Sequence, residues 1–290
     1  MMKVLIPGAG GMFSSDLVRF LNELKASRAV SGGLEVVAAP ETGLDITDAA
    51  KVDAFVAACE PNIIINCAAY TDVDRAEAEP EKALAVNAVG PENLAKSAKR
   101  HGAKLVHIST NYVFSGDKGS PYVETDEAQP VNVYGRTKLE GDRRVAEHCP
   151  NHLIIRTAWL FGRKGRNFIE TMLKLGREKG ALAVVADELG SPTFTLDLAA
   201  ATWNLISIQA MGVFHVANTG VCSRLDEAQA IFDLAGLKVK LTPIKLADYR
   251  RAARVPLNSA LDCSKLGRVT GHRPRPWRDA IRHYIEFERS

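Results

Sequence analysis

A tyrosine and a lysine four positions apart, in Tyr134-Gly135-Arg136-Thr137-Lys138, form the pair in this chain with the clearest chemical meaning. On a helix that spacing puts both side chains on one face. A phenol has a pKa near ~10 and exchanges protons poorly at neutral pH. An ammonium beside it stabilises the phenolate and lowers that pKa, so the phenol can serve as general acid or base. Upstream, Ser109-Thr110-Asn111-Tyr112-Val113-Phe114 closes an apolar run. A hydroxyl there can hydrogen-bond a substrate carbonyl as it becomes an alkoxide, or it can simply cap a turn. Near the start, Gly8-Ala9-Gly10-Gly11-Met12-Phe13-Ser14 offers glycines that permit positive φ and close backbone approach. A helix beginning there presents free N–H groups to a pyrophosphate. Gly8 and Gly11 keep the spacing of a dinucleotide turn, and Ser14 stands in its third glycine place. Each signal alone also fits a tight turn or a chance pairing. Their joint occurrence in this order is far more specific.

Elements that would position these residues can be read along the first half. Lys3–Ile6, Leu34–Ala38, Asn62–Asn66, Lys104–Ile108 and Leu153–Ile155 are strand candidates. Asn62–Asn66 is apolar at its centre, as a parallel strand covered on both faces should be. Between them fall helical stretches at Met12–Lys25, from an N-cap at Thr47 to Ala58, from Pro80 to His101 with Pro91 bending or dividing it, and at Val133–Glu147. Strands alternating with helices imply a Rossmann-type, doubly wound parallel α/β sheet, whose strand C-termini line the ligand crevice. After about residue 156 the rhythm loosens. Asn167–Lys179 and Leu196–Ile208 read as helices, and Val184-Val185 and Val213–Val216 as short strands. The expected organisation is a dinucleotide-binding domain over 1–156, to which later segments return, and a smaller irregular substrate lobe over 157–290.

The residue ending the second strand normally separates NAD from NADP, an acid taking the ribose 2′-hydroxyl and an arginine the 2′-phosphate. Here the segment is Ala38-Ala39-Pro40, with Glu41 close but misplaced, so cofactor choice stays open.

Composition excludes several classes. Of 290 residues, 46% are hydrophobic and 24% charged, values of a globular chain. A monomer of this length buries roughly 70–75% of its extended surface. No apolar run approaches the ~18 residues of a membrane span, and Val4-Leu5-Ile6 is too short for a signal peptide. Five scattered cysteines, none at zinc or redox spacing, point to a reduced cytoplasmic protein. The net charge is +3, yet Lys245–Arg282 holds ten basic residues and three acids, an excess of +7 that leaves −4 on the rest. Such asymmetry asks for an anionic partner. No motif or aromatic interleaving supports nucleic acid.

Over almost its whole length the chain resembles the dTDP-4-dehydrorhamnose reductase family, within the extended short-chain dehydrogenase/reductases. The resemblance rests on Leu44–Asp48, Asn66–Asp74, Ala78–Glu81, Asn87, Ser109–Phe114, Tyr134–Glu140, Arg156–Trp159, Asn167-Phe168, Asp187–Thr193 and Pro256–Ser259. It implies hydride delivery from NADPH or NADH to C4 of a dTDP-4-keto-6-deoxy sugar, giving dTDP-L-rhamnose. It also implies that Tyr134 protonates the alkoxide, that Thr110 polarises the carbonyl, and that Lys138 lowers the tyrosine pKa and holds the nicotinamide ribose. Gly8, Gly11 and Met12 would meet the pyrophosphate, Asp45 and Ile46 the adenine end, and Ala68, Ala69 and Tyr70 the middle of the cofactor. Trp159 would line the sugar pocket or serve as ordinary core, and Asn111 would touch the substrate. The basic excess finds its target in the substrate diphosphate, through Arg254, with most other basic residues as solvated charges. The expected partner is a dTDP-sugar, with no nucleic acid and no membrane, and the expected state a monomer or homodimer.

Two departures stand out. Asn111 replaces the family's usual aspartate, which puts in doubt any contact needing a carboxylate. Phe13 and Ser14 replace leucine and glycine, altering the packing expected at the pyrophosphate turn. Some members use Mg²⁺ at a carboxylate-lined dimer contact. Those carboxylates do not map onto this sequence, and no metal is expected. The alternatives are another nucleotide-sugar reductase or epimerase of the superfamily, or a non-catalytic dinucleotide-binding regulatory subunit.

Overall fold

The computed structural model describes residues 1–289. Strand β1 (Met2–Pro7) runs into helix α1 (Met12–Ala26), then β2 (Leu34–Ala39) and α2 (Ala49–Cys59). Asp48, not Thr47, caps α2, because its carboxylate accepts from the Ala50 and Lys51 N–H groups at 3.1 Å. Thr47 is taken up by Asp45, to which it donates at 2.7 Å.

Strand β3 (Ile63–Asn66) leads through a short α3 (Val73–Ala76) into α4 (Pro80–Leu84), a π-helical turn at Ala85–Val89, and α5 (Gly90–Arg100). The long helix is therefore continuous, and Pro91 widens it instead of dividing it. Proline has no N–H to give the carbonyl four residues back and its ring crowds that carbonyl, so the preceding turn opens by one residue.

Strand β4 (Lys104–Thr110) ends in a 3₁₀ turn, Asn111–Val113, followed by α6 (Val133–His148) and β5 (His152–Thr157). The later chain adds β6 (Leu160–Phe161), α7 (Phe168–Lys179), β7 (Ala181–Val185), β8 (Leu189–Gly190), β9 (Thr193–Phe194) and α8 (Thr195–Ser207). It continues with β10 (Gly212–His215), β11 (Cys222–Ser223), α9 (Arg224–Ala235), β12 (Lys240–Ile244), α10 (Ser264–Thr270) and α11 (Trp277–His283).

The central sheet has six parallel strands in the order β10-β5-β4-β3-β1-β2. The order reverses at β1, and that switch point is where an open α/β sheet forms its ligand crevice. Two cores cover the faces. Val4, Ile6, Ile63 and Ile65 pack with α1 and α8, while Leu5, Ile64, Leu105 and Ile154 pack with α2 and α5. Alternate residues of each strand thus enter opposite cores, as the two-residue period of a strand requires. The α8 helix and β10 both come from the later chain and complete the nucleotide-binding layer. The smaller lobe has its own core, in which Phe161, Ile169, Phe194, Ile231 and Tyr284 gather between α7, α9 and α11.

One segment of the C-terminal half is more regular than an irregular lobe requires. Lys240–Ile244 is a strand despite Pro243, since β12 pairs only with β7 and an outer edge needs no N–H. The basic excess is mainly solvated, as expected, with seven of its ten basic residues exposed, although several of them are paired. Arg251 forks onto Asp74, Arg275 onto Asp197, Arg278 reaches Asp233 at 3.2 Å, and Arg282 reaches Asp279 at 2.7 Å. Three of these pairs draw on acids outside the segment and offset part of its excess.

Candidate active site

The glycine turn sits at the switch point. Gly8 has φ of +74°, and a Cβ there would fall on the backbone of Ala68, just past β3. Only glycine meets both conditions. The Ala9 N–H donates to the Ala39 carbonyl at 3.2 Å, which ties the turn to the end of β2. Ser14, in the third glycine place, turns its hydroxyl back onto the Gly8 and Gly11 carbonyls at 2.8 and 3.1 Å. It braces the turn from within and leaves the start of α1 without a side-chain cap. The first amides of α1 are therefore available to an anion, as a pyrophosphate needs. This cradle fits a dinucleotide. Ala68, Ala69 and Tyr70 border it half-buried, and the Tyr70 N–H is held by Asn87 at 2.8 Å. Ile46 is buried, and the exposed Asp45 side chain caps its own turn by accepting from the Thr47 N–H at 2.9 Å.

Thr110 ends β4 and begins the 3₁₀ turn, accepting from the Tyr112 N–H at 3.2 Å. Tyr134 opens α6, whose N-cap Asn132 accepts from the Gly135 N–H at 2.7 Å. The same Asn132 donates to the Arg254 carbonyl at 2.8 Å, fastening α6 to the C-terminal segment. The rings of Tyr112 and Tyr134 meet edge to face at 5.9 Å. Burial pushes the Tyr134 phenol up to about 12, opposed by a hydrogen bond from the Thr110 side chain. A phenol so placed is fully protonated near neutrality and suited to donate a proton.

Lys138 lies one turn further along α6, 1% exposed. Its ammonium donates to the Ile108 carbonyl at 2.7 Å and lies 3.4 Å from His107 Nε2. Burial pulls it down to about 8, and the Asp142 carboxylate opposes that fall. Asp142 follows Lys138 by another turn and accepts from Arg156 of β5 at 3.2 Å. His107, wholly buried, is pushed well below its usual value by burial and by Lys138, so it is neutral. Its Nδ1 faces the Asn66 amide at 3.1 Å, and Asn66 in turn accepts from the Ala68 N–H at 3.1 Å. A buried polar chain thus runs from the glycine-turn neighbour Ala68 to Lys138. The ammonium in this state turns to β4. Burial raises the Tyr134 pKa, and Lys138 is not among the groups that act on it in this arrangement.

Three substrate-side expectations are placed differently from one another. Trp159 follows β5 at the crevice edge, half-buried. Arg254 is exposed and lines a cavity of about 510 Å³ with Arg251, Tyr249 and Asp187. Asn111 is 3% exposed, accepts from Thr110 at 3.2 Å and donates to the Ser259 carbonyl at 3.3 Å. Its amide braces the strand end against the C-terminal segment. The uncharged amide suits that buried place.

Residues 2–289 match the family model described as the RmlD substrate binding domain. The chain belongs to this family. It is 41% identical to dTDP-4-dehydrorhamnose reductase from Mycolicibacterium smegmatis, over 98% of this chain and 85% of that protein. It is 39% identical to the spore coat polysaccharide biosynthesis protein SpsK of Bacillus subtilis, over 100% of this chain and 99% of that one. Among solved structures, dTDP-4-dehydrorhamnose reductase from Bacillus anthracis in complex with NADP superposes with a TM-score of 0.92 at 37% identity, covering 98% of this chain and 99% of that one.

In this RmlD-family chain, sequence reasoning leaves four site residues without a role. Asn87 sits in the π turn and holds both the N–H and the carbonyl of Tyr70 while donating to Thr137 at 3.1 Å. The wide turn itself was the available signal, through Pro91. His107 and Asp142 carry no motif. Tyr112 was legible only as part of the hydroxyl segment. Among the described residues no helix is long and apolar enough to cross a membrane, and no group of three or more metal-ligating side chains gathers.

Proposed function

We propose that this chain reduces the 4-keto group of dTDP-6-deoxy-L-lyxo-4-hexulose to give dTDP-L-rhamnose, with NADPH or NADH as reductant. The observation that carries the reading is the meeting of the Gly8 turn, the Thr110–Tyr134 hydroxyl pair and Lys138 at one edge of the sheet. Membership of the RmlD family supports the substrate class.

The reduced nicotinamide supplies a hydride. The chain's own residues do the rest. Gly8, Gly11 and Met12 receive the pyrophosphate, Asp45 and Ile46 flank the adenine end, and Ala68, Ala69 and Tyr70 line the middle. Thr110 donates to the C4 carbonyl oxygen, and Tyr134 passes its phenolic proton to that oxygen as it becomes an alkoxide. Lys138 keeps a positive charge beneath the site and meets the nicotinamide ribose. Trp159 walls the sugar pocket, and Arg254 faces the diphosphate from its cavity. No metal takes part. The protein acts as a monomer or homodimer in the cytoplasm, where its five free thiols stay reduced. Asn111, already engaged on both sides, offers no second acid or base of the kind an epimerase or dehydratase would use there.

The test is to mix protein, NADPH and the 4-keto sugar nucleotide and follow nicotinamide absorbance. Oxidation that depends on the sugar supports the reading. No oxidation with either NADPH or NADH overturns it. The end of β2 supplies a further expectation. With Ala39-Pro40 there, no carboxylate rejects a 2′-phosphate and no arginine rewards it, so kcat/KM for NADPH and NADH should agree within about tenfold. Initial rates with each reductant check this.

The charge on Lys138 sets a pH dependence. Below about 8 the ammonium is present, and above it the charge is lost. Tyr134 stays protonated throughout that window. Reduction kcat/KM should therefore fall as pH rises through about 8. A profile flat across that range contradicts the role given to Lys138.

A further inference from the structure

Trp159 has φ of +45°. A bulky residue holds that left-handed conformation only when its surroundings fix it. Two contacts do so. The indole lies so close to Gly190 that an added Cβ would come within 2.2 Å of a ring atom. The Arg224 guanidinium carbon stands 3.4 Å from the ring centroid. The Phe168 ring backs the same guanidinium at 4.8 Å.

Arg224 is itself held. Its Nη1 donates to Glu227 at 2.9 Å, and its Nε lies 3.8 Å from Glu188. Both carboxylates are nearly sealed, at 1% and 6% side-chain exposure. The Arg224 N–H also donates to the Glu188 carbonyl at 3.3 Å. The indole Nε1 is buried without a hydrogen-bond partner, so the stack sets the angle of the ring. The charges of Arg224 and Glu188 also reach Tyr112, whose ring packs on Tyr134.

We propose that Arg224 is a positioning residue that pins the Trp159 indole with its edge toward the sugar pocket and so sets the recognition of the deoxyhexulose. This rests on the reading that Trp159 faces the substrate. A planar guanidinium bonded to Glu227 and paired with Glu188 keeps its place over the indole ring. The outer indole edge is left to meet the apolar face of a 6-deoxy sugar. A lysine keeps the charge for Glu227 but loses the planar match.

The variants are Arg224→Lys and Arg224→Met. Each should raise KM for the dTDP-4-keto sugar about tenfold, the size of one stacked cation contact, with kcat within about threefold and KM for NADPH unchanged. In the free protein, the emission of Trp159, isolated by difference from a Trp159→Phe variant, should become more accessible to acrylamide in both. Arg224→Lys keeps the ion pair, so it tests the stack should Arg224→Met fold poorly. Unchanged quenching in Arg224→Lys overturns the pin. Changed quenching with unchanged KM overturns the link to sugar recognition. A fall in kcat and melting temperature with KM unchanged marks a merely structural residue and overturns the proposal too. Quenching needs no substrate, so it still reads the pin if the protein proves inactive on this sugar.

Discussion

Tyr134→Phe should lower kcat for keto reduction about a thousandfold, within the range a positioned proton donor contributes. The substitution removes one oxygen. The ring keeps its edge-to-face contact with Tyr112, and α6 keeps its Asn132 cap. Melting temperature and NADPH affinity should therefore stay close to wild type, which separates lost chemistry from lost structure. The phenol, pushed up to about 12, is a full-time donor at neutral pH. A variant with undiminished kcat would remove Tyr134 from the proton transfer.

The second large effect is on stability. Asp142 and Arg156 form an ion pair with 4% and 8% side-chain exposure. Burial pushes the Asp142 carboxyl up, and Arg156 is the strongest opposing influence. Removing one partner leaves the other buried without compensation, so Asp142→Ala should cost about 3–5 kcal/mol in the free energy of unfolding. Replacing both, as Asp142→Leu with Arg156→Met, should recover much of that loss because no charge is then stranded. Denaturant unfolding of the single and double variants checks this. Additive losses would show that the pair is not coupled.

The parts of this molecule that sequence reveals are those in which physics acts locally. Ile63–Ile65 reads as a central strand because both faces are covered and every position is apolar. The Gly8 turn reads as a ligand cradle because few backbones need that conformation directly after a strand. Tyr134 and Lys138 are legible since proton transfer demands those types at helical spacing. What stays hidden is assembled from distance. Arg224 reaches Trp159 only after α9 docks beside β8. His107, Asp142 and Arg156 come from three elements and share no motif.

The helix α9 had a signal of its own in the capping box at Ser223 and Asp226, with reciprocal bonds of 2.7 to 3.0 Å. Asn111 shows the opposite limit. Resemblance placed it on the substrate, while its bracing bonds to Thr110 and Ser259 are visible only in the fold.

The most direct measurement follows the hydrogen itself. NADPH carrying deuterium at the transferable nicotinamide position is incubated with the protein and dTDP-6-deoxy-L-lyxo-4-hexulose, and the product is read by mass and proton spectra. The account predicts dTDP-L-rhamnose with one deuterium at C4 of the sugar. Product without deuterium, or with deuterium at any other carbon, would contradict it.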